Sequence, residues 1–248
     1  MNKSYAPYHD EVLRALEEAA EPERAAAIKE DRRTDLEVLA VRAPALKRIV
    51  KRGFSFYAEP EARVLAVWDA LWSASPYFEV LSAALEFYGV RAKKRVGPQW
   101  WPVLKGWSAR VENWAHADGL AVLYSRLLES DPGTVYGQIE RWNADSDQWL
   151  RRVSLVSLIH YTGKNAVFLP LDKVLPLTDA CLADERYYVQ KAVGWVLREM
   201  GHVYPDEIRQ YLEQNMAALS AVAFSRAIER RDPAERRRLR ALRRGQDA

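Results

Sequence analysis

The chain has 248 residues, of which 49% are hydrophobic and 11 are glycine, and its formal net charge is +3. This is enough apolar material for one large core, and no apolar run reaches the length of about 18 residues that a membrane-spanning helix requires. The charge is uneven, because residues 226–248 contain nine arginines and four acids, which leaves −2 for the remainder. Any nucleic-acid surface on the body of the chain must therefore come from local basic patches.

The N-terminal residues and the cysteine content indicate the compartment. The first twenty residues become acidic early and contain no hydrophobic run of the kind found in signal peptides. Cys181 is the single cysteine, so an intramolecular disulfide is excluded. We therefore expect a protein of a reducing, cytoplasmic compartment.

Helix-forming segments recur between short breaks of Pro, Gly, Ser and Asp, and no segment has the alternation of a strand. Pro44, Pro98 and Pro132 occupy positions typical of a first helical turn, and Gly89 and Gly201 follow expected helix ends. The predicted helices cover residues 8–20, 22–31, 44–52, 59–73, 76–88, 98–106, 110–129, 132–142, 146–161, 171–183, 186–200, 204–215 and 217–230.

The helices form an approximate repeat. Asp118, Arg152 and Lys191 occupy similar places in the second helix of successive pairs, at separations of 34 and 39 residues. Such periods are typical of α-solenoids of the HEAT or armadillo kind. We expect an all-α, curved solenoid of antiparallel HEAT-like pairs over residues 1–230, with a concave basic and aromatic face, followed by an Arg-rich tail at 231–248. A non-repetitive helical domain is the alternative.

In the predicted helix 186–200, a large aromatic residue lies off the apolar face. The core stripe is formed by Val189, Ala192, Val193, Val196 and Met200. Because a helix turns by about 100° per residue, Trp195 points nearly the opposite way. It shares that side with Lys191, Arg198, Tyr187 and Tyr188. Cations interleaved with aromatics favour a nucleic-acid surface, whereas packing of Trp195 against a neighbouring repeat is the simpler alternative.

The predicted helix 110–129 has the same arrangement. Its core stripe is His116, Leu120, Leu123 and Leu127. Trp114 and Asp118 are four residues apart on the opposite side, among small neighbours that leave an indole and a carboxylate accessible. Alternatively, Asp118 is an ordinary solvated charge and Trp114 fills space between helices.

Arg152 lies on a helix that is apolar nearly all round. A guanidinium in such surroundings needs a partner, because an unpaired buried charge is costly. The candidates are a DNA phosphate and the carboxylate of Asp118, one repeat earlier. An internal salt bridge and a phosphate contact are compatible with each other.

At these residues the chain resembles the AlkD-type family of alkylpurine DNA glycosylases, which are built from HEAT-like repeats. The most specific segment is VQKAVGWVLREMGHVYPDEIRQYL, within which QKA-GWVLRE is characteristic, and the segments NWAHAD and WLRR follow the family order. The resemblance extends from about Val41 to Glu229. Two departures are the absence of a tyrosine between Ile28 and Leu39, and the spacer Ala-His-Ala within NWAHAD.

The resemblance implies that Trp114, Asp118, Arg152 and Trp195 match the family's site residues. It implies a hydrolase that breaks the N-glycosidic bond of cationic N3- or N7-alkylated purines in duplex DNA, without a base-binding pocket. Asp118 would stabilise the sugar cation and orient water, and the two tryptophans would face the cationic nucleotide. The expected partner is double-stranded DNA with alkylated purines, with no cofactor and no metal, and the expected state is a monomer in the cytoplasm, associated with the nucleoid through DNA.

Further cations are candidate DNA contacts outside this centre. The predicted DNA-binding set is Arg152, Lys191, Arg198, Tyr187, Lys93, Lys94, Arg95, Lys47 and Lys51. The two lysine-rich clusters are equally compatible with ordinary solvated surface. For the Arg-rich tail the alternatives are non-specific contact with DNA and an exposed, partly disordered helix end. The main functional alternative is a non-catalytic protein of the same architecture that binds DNA or another protein.

Overall fold

The computed structural model describes residues 4–159 and 169–246, and within them the chain is all-α, as predicted. Glu37 and Tyr77 form an isolated bridge, and the described residues contain no strand. Short 3₁₀ turns lie at Pro22–Arg24, Ser55–Ala58 and Lys105–Arg110. The α-helices are α1 (Ala6–Glu17), α2 (Ala25–Arg32), α3 (Ala43–Arg52), α4 (Glu61–Ala74), α5 (Phe78–Ala92), α6 (Trp100–Leu104), α7 (Trp114–Ser130), α8 (Pro132–Asn143), α9 (Gln148–Val156), α10 (Leu171–Asp179), α11 (Tyr187–Met200), α12 (Pro205–Gln214), α13 (Ala221–Ala227) and α14 (Pro233–Gln246).

Local signals explain several helix ends. Pro132 is the first residue of α8, and the side chain of Asp131 accepts a hydrogen bond from the backbone N–H of Thr134 at 3.2 Å. Gly201 follows α11 as predicted. The prediction that α5 ends before Gly89 is wrong, because the helix continues to Ala92, which is buried. The end of the predicted helix 146–161, beyond residue 159, lies outside the described residues.

The chain divides into two compact units, residues 1–130 and residues 131–248. In the first unit, α5 packs against α3, α4 and α7. Its core contains Trp72 and Trp107, whose rings stack 4.6 Å apart. The indole N–H of Trp72 donates to the carbonyl of Trp107 at 3.0 Å, and that of Trp107 donates to Asp69 at 2.8 Å. The buried indoles therefore satisfy their polar atoms within the core. The predicted single repeat domain over residues 1–230 stays a prediction.

In the second unit, α11 packs against α9 and α13. The whole predicted stripe of α11 is buried: Val189, Ala192, Val193, Val196 and Met200. Gly194 permits the close approach of α13. A β-carbon at this position would lie 2.4 Å from the carbonyl oxygen of Ala223 and 2.6 Å from Cβ of Arg226. The spacing between the two helices thus depends on the missing side chain.

The Arg-rich C-terminal segment is helical and contacts the rest of its unit. Leu239 of α14 is fully buried. Arg243 donates to the carbonyl of Leu219 at 2.8 Å and lies 4.7 Å from the ring of Phe224, while Arg238 pairs with Glu213. Part of the arginine content of this segment is therefore used in internal contacts. The predicted DNA contact by the tail stays a prediction.

His116 of α7 is a buried, hydrogen-bonded core residue, as its place on the apolar stripe predicts. The side-chain amide of Asn113 donates to Nδ1 at 3.0 Å, so the ring proton is assigned to Nε2, which lies 3.2 Å from the carbonyl oxygen of Phe78. Asn113 also accepts from the backbone N–H of His116 at 2.9 Å. Burial lowers the pKa of His116 to about 3. These bonds fix the first turn of α7 to α5.

Substitution of Gly194 by alanine should destabilise the second unit. Alanine is the better helix former, but its β-carbon would collide with the α13 backbone, and overpacking of this kind costs about 1–3 kcal/mol. We expect a lower free energy of unfolding in urea. Gly137→Ala in α8, where an added Cβ meets nothing within 4 Å, is the control and should be neutral or stabilising. Equal effects of the two substitutions would contradict this packing argument.

The neutral His116 should make folding sensitive to acid. Above the unfolded pKa of 6.5 neither state is protonated, so its contribution to stability is complete. As the pH falls from 6.5 towards about 3, the unfolded chain gains a proton that the buried imidazole does not. The free energy of unfolding should therefore decrease by about 1.4 kcal/mol per pH unit in this window.

Urea unfolding of the native chain and of His116→Gln, at pH 7.5 and pH 5, isolates this contribution from that of the other titrating groups. The native chain should lose about 2 kcal/mol more than the variant between the two pH values. Equal losses would show that His116 is not the group responsible.

Candidate active site

Trp114 and Asp118 are positioned by the first turns of α7. Trp114 is the first residue of the helix and Asp118 follows one turn later, and both are half-buried. The opposite side of the helix carries the buried residues His116, Leu120, Leu123 and Leu127. The structure therefore brings Trp114 and Asp118 together on the side of α7 away from its predicted core stripe.

The end of α2 contacts Trp114. The indole N–H of Trp114 donates to the carbonyl oxygen of Asp31 at 2.9 Å. The guanidinium carbon of Arg32 lies 4.3 Å from the centre of the indole ring, in a cation–π arrangement. The family has an aromatic residue in this region, whereas this chain has Arg32 over the ring of Trp114.

Glu112, two residues before the start of α7, forms hydrogen bonds with the segment that follows α2. The hydroxyl of Thr34 and the backbone N–H of Asp35 both donate to the carboxylate of Glu112, the latter at 3.2 Å. Arg33, between α2 and this segment, has a left-handed backbone with φ of 52°. These contacts were not predicted from the sequence, because residues about 80 positions apart form no local pattern.

In the second unit, Arg152 of α9 is 4% exposed. Its guanidinium donates to the carbonyl oxygen of Tyr188 at 2.7 Å, and its central carbon is 6.0 Å from the ring centres of both Tyr188 and Trp195. The ring of Trp149 lies 4.9 Å from that of Tyr188. The structure therefore joins Arg152 to the aromatic residues of α11, while its predicted contacts with phosphate and with Asp118 stay predictions.

The outer side of α11 presents a cation and two aromatic residues. Tyr187 is 54% exposed, and the ammonium of Lys191 lies 5.2 Å from its ring centre. Trp195, one turn beyond Lys191, is half-buried. This agrees with the prediction that these side chains lie off the core stripe.

Arg198 is more enclosed than the helix-face argument predicts. It is 6% exposed and donates to Glu199 at 2.7 Å and to Glu229 at 2.6 Å. The hydrogen bond from Arg198 holds the pKa of Glu229 below its usual value. Its guanidinium lies 6.0 Å from the Trp195 ring. Two carboxylates thus compete with any phosphate for this arginine, and its DNA contact stays a prediction.

The other predicted DNA contacts lie on the surface of the first unit. Lys47 and Lys51 are exposed on α3, whose other side is buried, and Lys93, Lys94 and Arg95 are exposed where α5 ends. Exposure is compatible with a phosphate contact and with ordinary solvated surface, so these assignments stay predictions.

No group of three or more His, Cys, Asp or Glu side chains in residues 4–159 and 169–246 is arranged to hold a metal ion. Across the same residues, no helix is both long and apolar enough to cross a membrane. Cys181 is fully buried, and its burial raises the pKa of its thiol.

Solved structures share the fold of this chain. A predicted DNA alkylation repair enzyme from Enterococcus faecalis has a TM-score of 0.71 at 16% identity, over 86% of this chain and 97% of its own. AlkD2 from Streptococcus mutans has a TM-score of 0.55 at 15% identity, over 85% and 99%. The protein smu.31 from Streptococcus mutans UA159 has a TM-score of 0.54 at 16% identity, over 76% and 92%. At these identities the similarity shows the fold.

No curated protein sequence is significantly similar to the chain. A family model described as DNA alkylation repair enzyme matches residues 12–230, which include α7 and α11. The chain therefore belongs to the DNA alkylation repair enzyme family.

Proposed function

We propose that the protein is a monofunctional DNA glycosylase that removes cationic N3- and N7-alkylated purines from duplex DNA, without a base-binding pocket. The observation that carries this proposal is the Trp114 and Asp118 pair on the half-buried side of α7, in a chain of the DNA alkylation repair enzyme family. The reaction is hydrolysis, and it uses no cofactor or metal.

The proposed chemistry follows from the charge of the lesion. Alkylation at N3 or N7 makes the purine cationic, so cleavage of the N-glycosidic bond returns the bonding electron pair to the ring and releases a neutral base. The sugar is left as an oxocarbenium-like cation. Asp118 stabilises that cation and accepts a proton from the water that adds to C1′. Neutral lesions are poor leaving groups and should be poor substrates.

The two tryptophans supply π-electron density to the cationic nucleotide, at about 0.5–2 kcal/mol each. Arg32 already lies over one face of the Trp114 ring. The proposal therefore requires the nucleotide to use the opposite face of this indole. Trp195, half-buried on α11 beside Lys191, is assigned the same role.

Arg152 and Lys191 are proposed to contact phosphates. Such contacts set the position of the duplex and read no sequence. Lys191 is suited to this role because it lies on the outer side of α11 with the exposed Tyr187. Arg152 is assigned this role because its guanidinium carbon lies 6.0 Å from the ring centre of Trp195. We further propose that the protein acts as a cytoplasmic monomer associated with the nucleoid through DNA.

Release of N7-methylguanine and N3-methyladenine from methylated duplex tests the proposal. The native protein should release both bases, and Asp118→Asn should reduce the rate by about 100-fold or more while largely sparing duplex binding. Asp172→Asn, an exposed carboxylate in the first turn of α10, is the matched control and should retain full activity.

Two results would overturn the enzyme assignment or the role of Asp118. Duplex binding without any released base would favour the alternative, a non-catalytic DNA-binding member of the family. Release at the native rate by Asp118→Asn would place the catalytic carboxylate elsewhere.

Replacement of Lys191 by alanine should weaken duplex binding to a similar extent for all sequences. A plot of log affinity against log salt concentration has a negative slope, and loss of one phosphate contact should reduce the magnitude of that slope by about 1. Fluorescence anisotropy at several salt concentrations measures this slope, with Lys105→Ala as the control for an exposed lysine outside the site. An affinity for DNA that does not depend on salt, or no affinity, would support a protein-binding scaffold instead.

A further inference from the structure

A small aromatic cavity lies in the first unit, where α4, the end of α5 and α6 meet. Its volume is about 190 Å³, and its aromatic walls are Tyr57, Phe87, Tyr88 and Trp100. The ring centres of Tyr57 and Phe87 are 4.7 Å apart, and those of Tyr88 and Trp100 are 4.9 Å apart. None of these residues belongs to the candidate active site described above.

Two hydroxyl groups in the cavity walls have unused hydrogen-bonding capacity. Tyr88 is 1% exposed, and among the residues that the structure describes its hydroxyl has no hydrogen-bond partner; the same holds for the hydroxyl of Tyr57. Buried polar atoms are nearly always paired, because an unpaired one costs free energy. Burial raises the pKa of both phenols, so each remains protonated and able to donate. The walls are therefore suited to a ligand with a polar edge.

Charged groups at the rim are held in fixed directions. The indole N–H of Trp100 donates to the carboxylate of Glu61 at 2.8 Å. The guanidinium of Arg91 lies 3.5 Å from the ring centre of Phe87 and 5.5 Å from that of Tyr57. The cavity thus combines stacking surfaces, hydroxyl donors and the carboxylates of Glu59 and Glu61, which are groups that a nucleobase can stack on or hydrogen-bond to.

A second cavity shares Glu61, Arg91 and Trp100 with the first. Its volume is about 380 Å³, and its further lining includes Lys94 and Arg95. The second cavity alone has the size of an ordinary small-molecule site, about 300–1,000 Å³, and the shared residues show that the first is adjacent to it. One cavity is aromatic and polar, and the other carries a cluster of cations suited to a phosphate.

We propose that this composite pocket binds a mononucleotide, with its base between the aromatic walls and its phosphate at Lys94 and Arg95. An apolar ligand would leave the hydroxyls of Tyr57 and Tyr88 unpaired, and inorganic phosphate would not use the rings. A nucleotide satisfies both halves of the pocket. The proposal concerns a site separate from Asp118 and does not rest on the glycosylase activity.

Isothermal titration calorimetry of the full chain with four probes tests this assignment. The probes are deoxyguanosine monophosphate, deoxyguanosine, inorganic phosphate and phenyl phosphate. The nucleotide should bind at least tenfold more tightly than each of the others. No binding of the nucleotide at millimolar concentration, or equal affinity for phenyl phosphate, would overturn the proposal.

Single substitutions test the base-binding half and the phosphate-binding half of the pocket separately. Tyr88→Phe keeps the ring and should weaken nucleotide binding at least threefold without lowering Tm, since it removes an unpaired hydroxyl. Arg95→Ala should weaken binding of the nucleotide but leave the weak binding of deoxyguanosine unchanged. Tyr204→Phe and Arg209→Ala, both in the second unit, are the matched controls. Native nucleotide affinity in both Tyr88→Phe and Arg95→Ala would show that the ligand binds elsewhere.

Discussion

Burial of one face of a helix constrains the direction of every other side chain on it, and the candidate residues of each unit depend on this constraint. In α7, His116 is held by Asn113 and by the carbonyl of Phe78, and Trp114 and Asp118 are left on the other side. In α11, the buried valines leave Lys191 and Trp195 outward. Packing of the apolar face thus sets the direction of these polar and aromatic side chains without any contact from a ligand.

The same constraint explains how much could be predicted from the sequence. Helix periodicity predicts the all-α fold, the buried stripes of α7 and α11, and the position of Trp195 away from the core, because these depend on spacing along one helix. It fails for Arg198, whose partners Glu199 and Glu229 enclose it. It also gives no sign of the Arg32 contact with Trp114 or of the paired cavities near Tyr88, since both join distant segments.

Some cations of this chain are paired with its own carboxylates, so fewer positive charges are available to DNA than the formal charge indicates. Arg198 and Arg238 each form an ion pair with a carboxylate of the same unit. Phosphate contacts gain free energy by releasing counterions from DNA, and an arginine already neutralised contributes less to that release. Lysines such as the half-buried Lys191 and the exposed Lys51 therefore have more weight in the proposed DNA interface than the number of arginines suggests.

Gly194 precedes Trp195 directly, and this adjacency links packing to the direction of the indole. The contact of α11 with the α13 backbone fixes the rotation of α11 about its own axis. A side chain at position 194 would push α11 away from α13 and shift Trp195 with it, without altering any residue of the site. Within the proposed function, the direction in which Trp195 faces the nucleotide would thus depend on a residue that has no side chain.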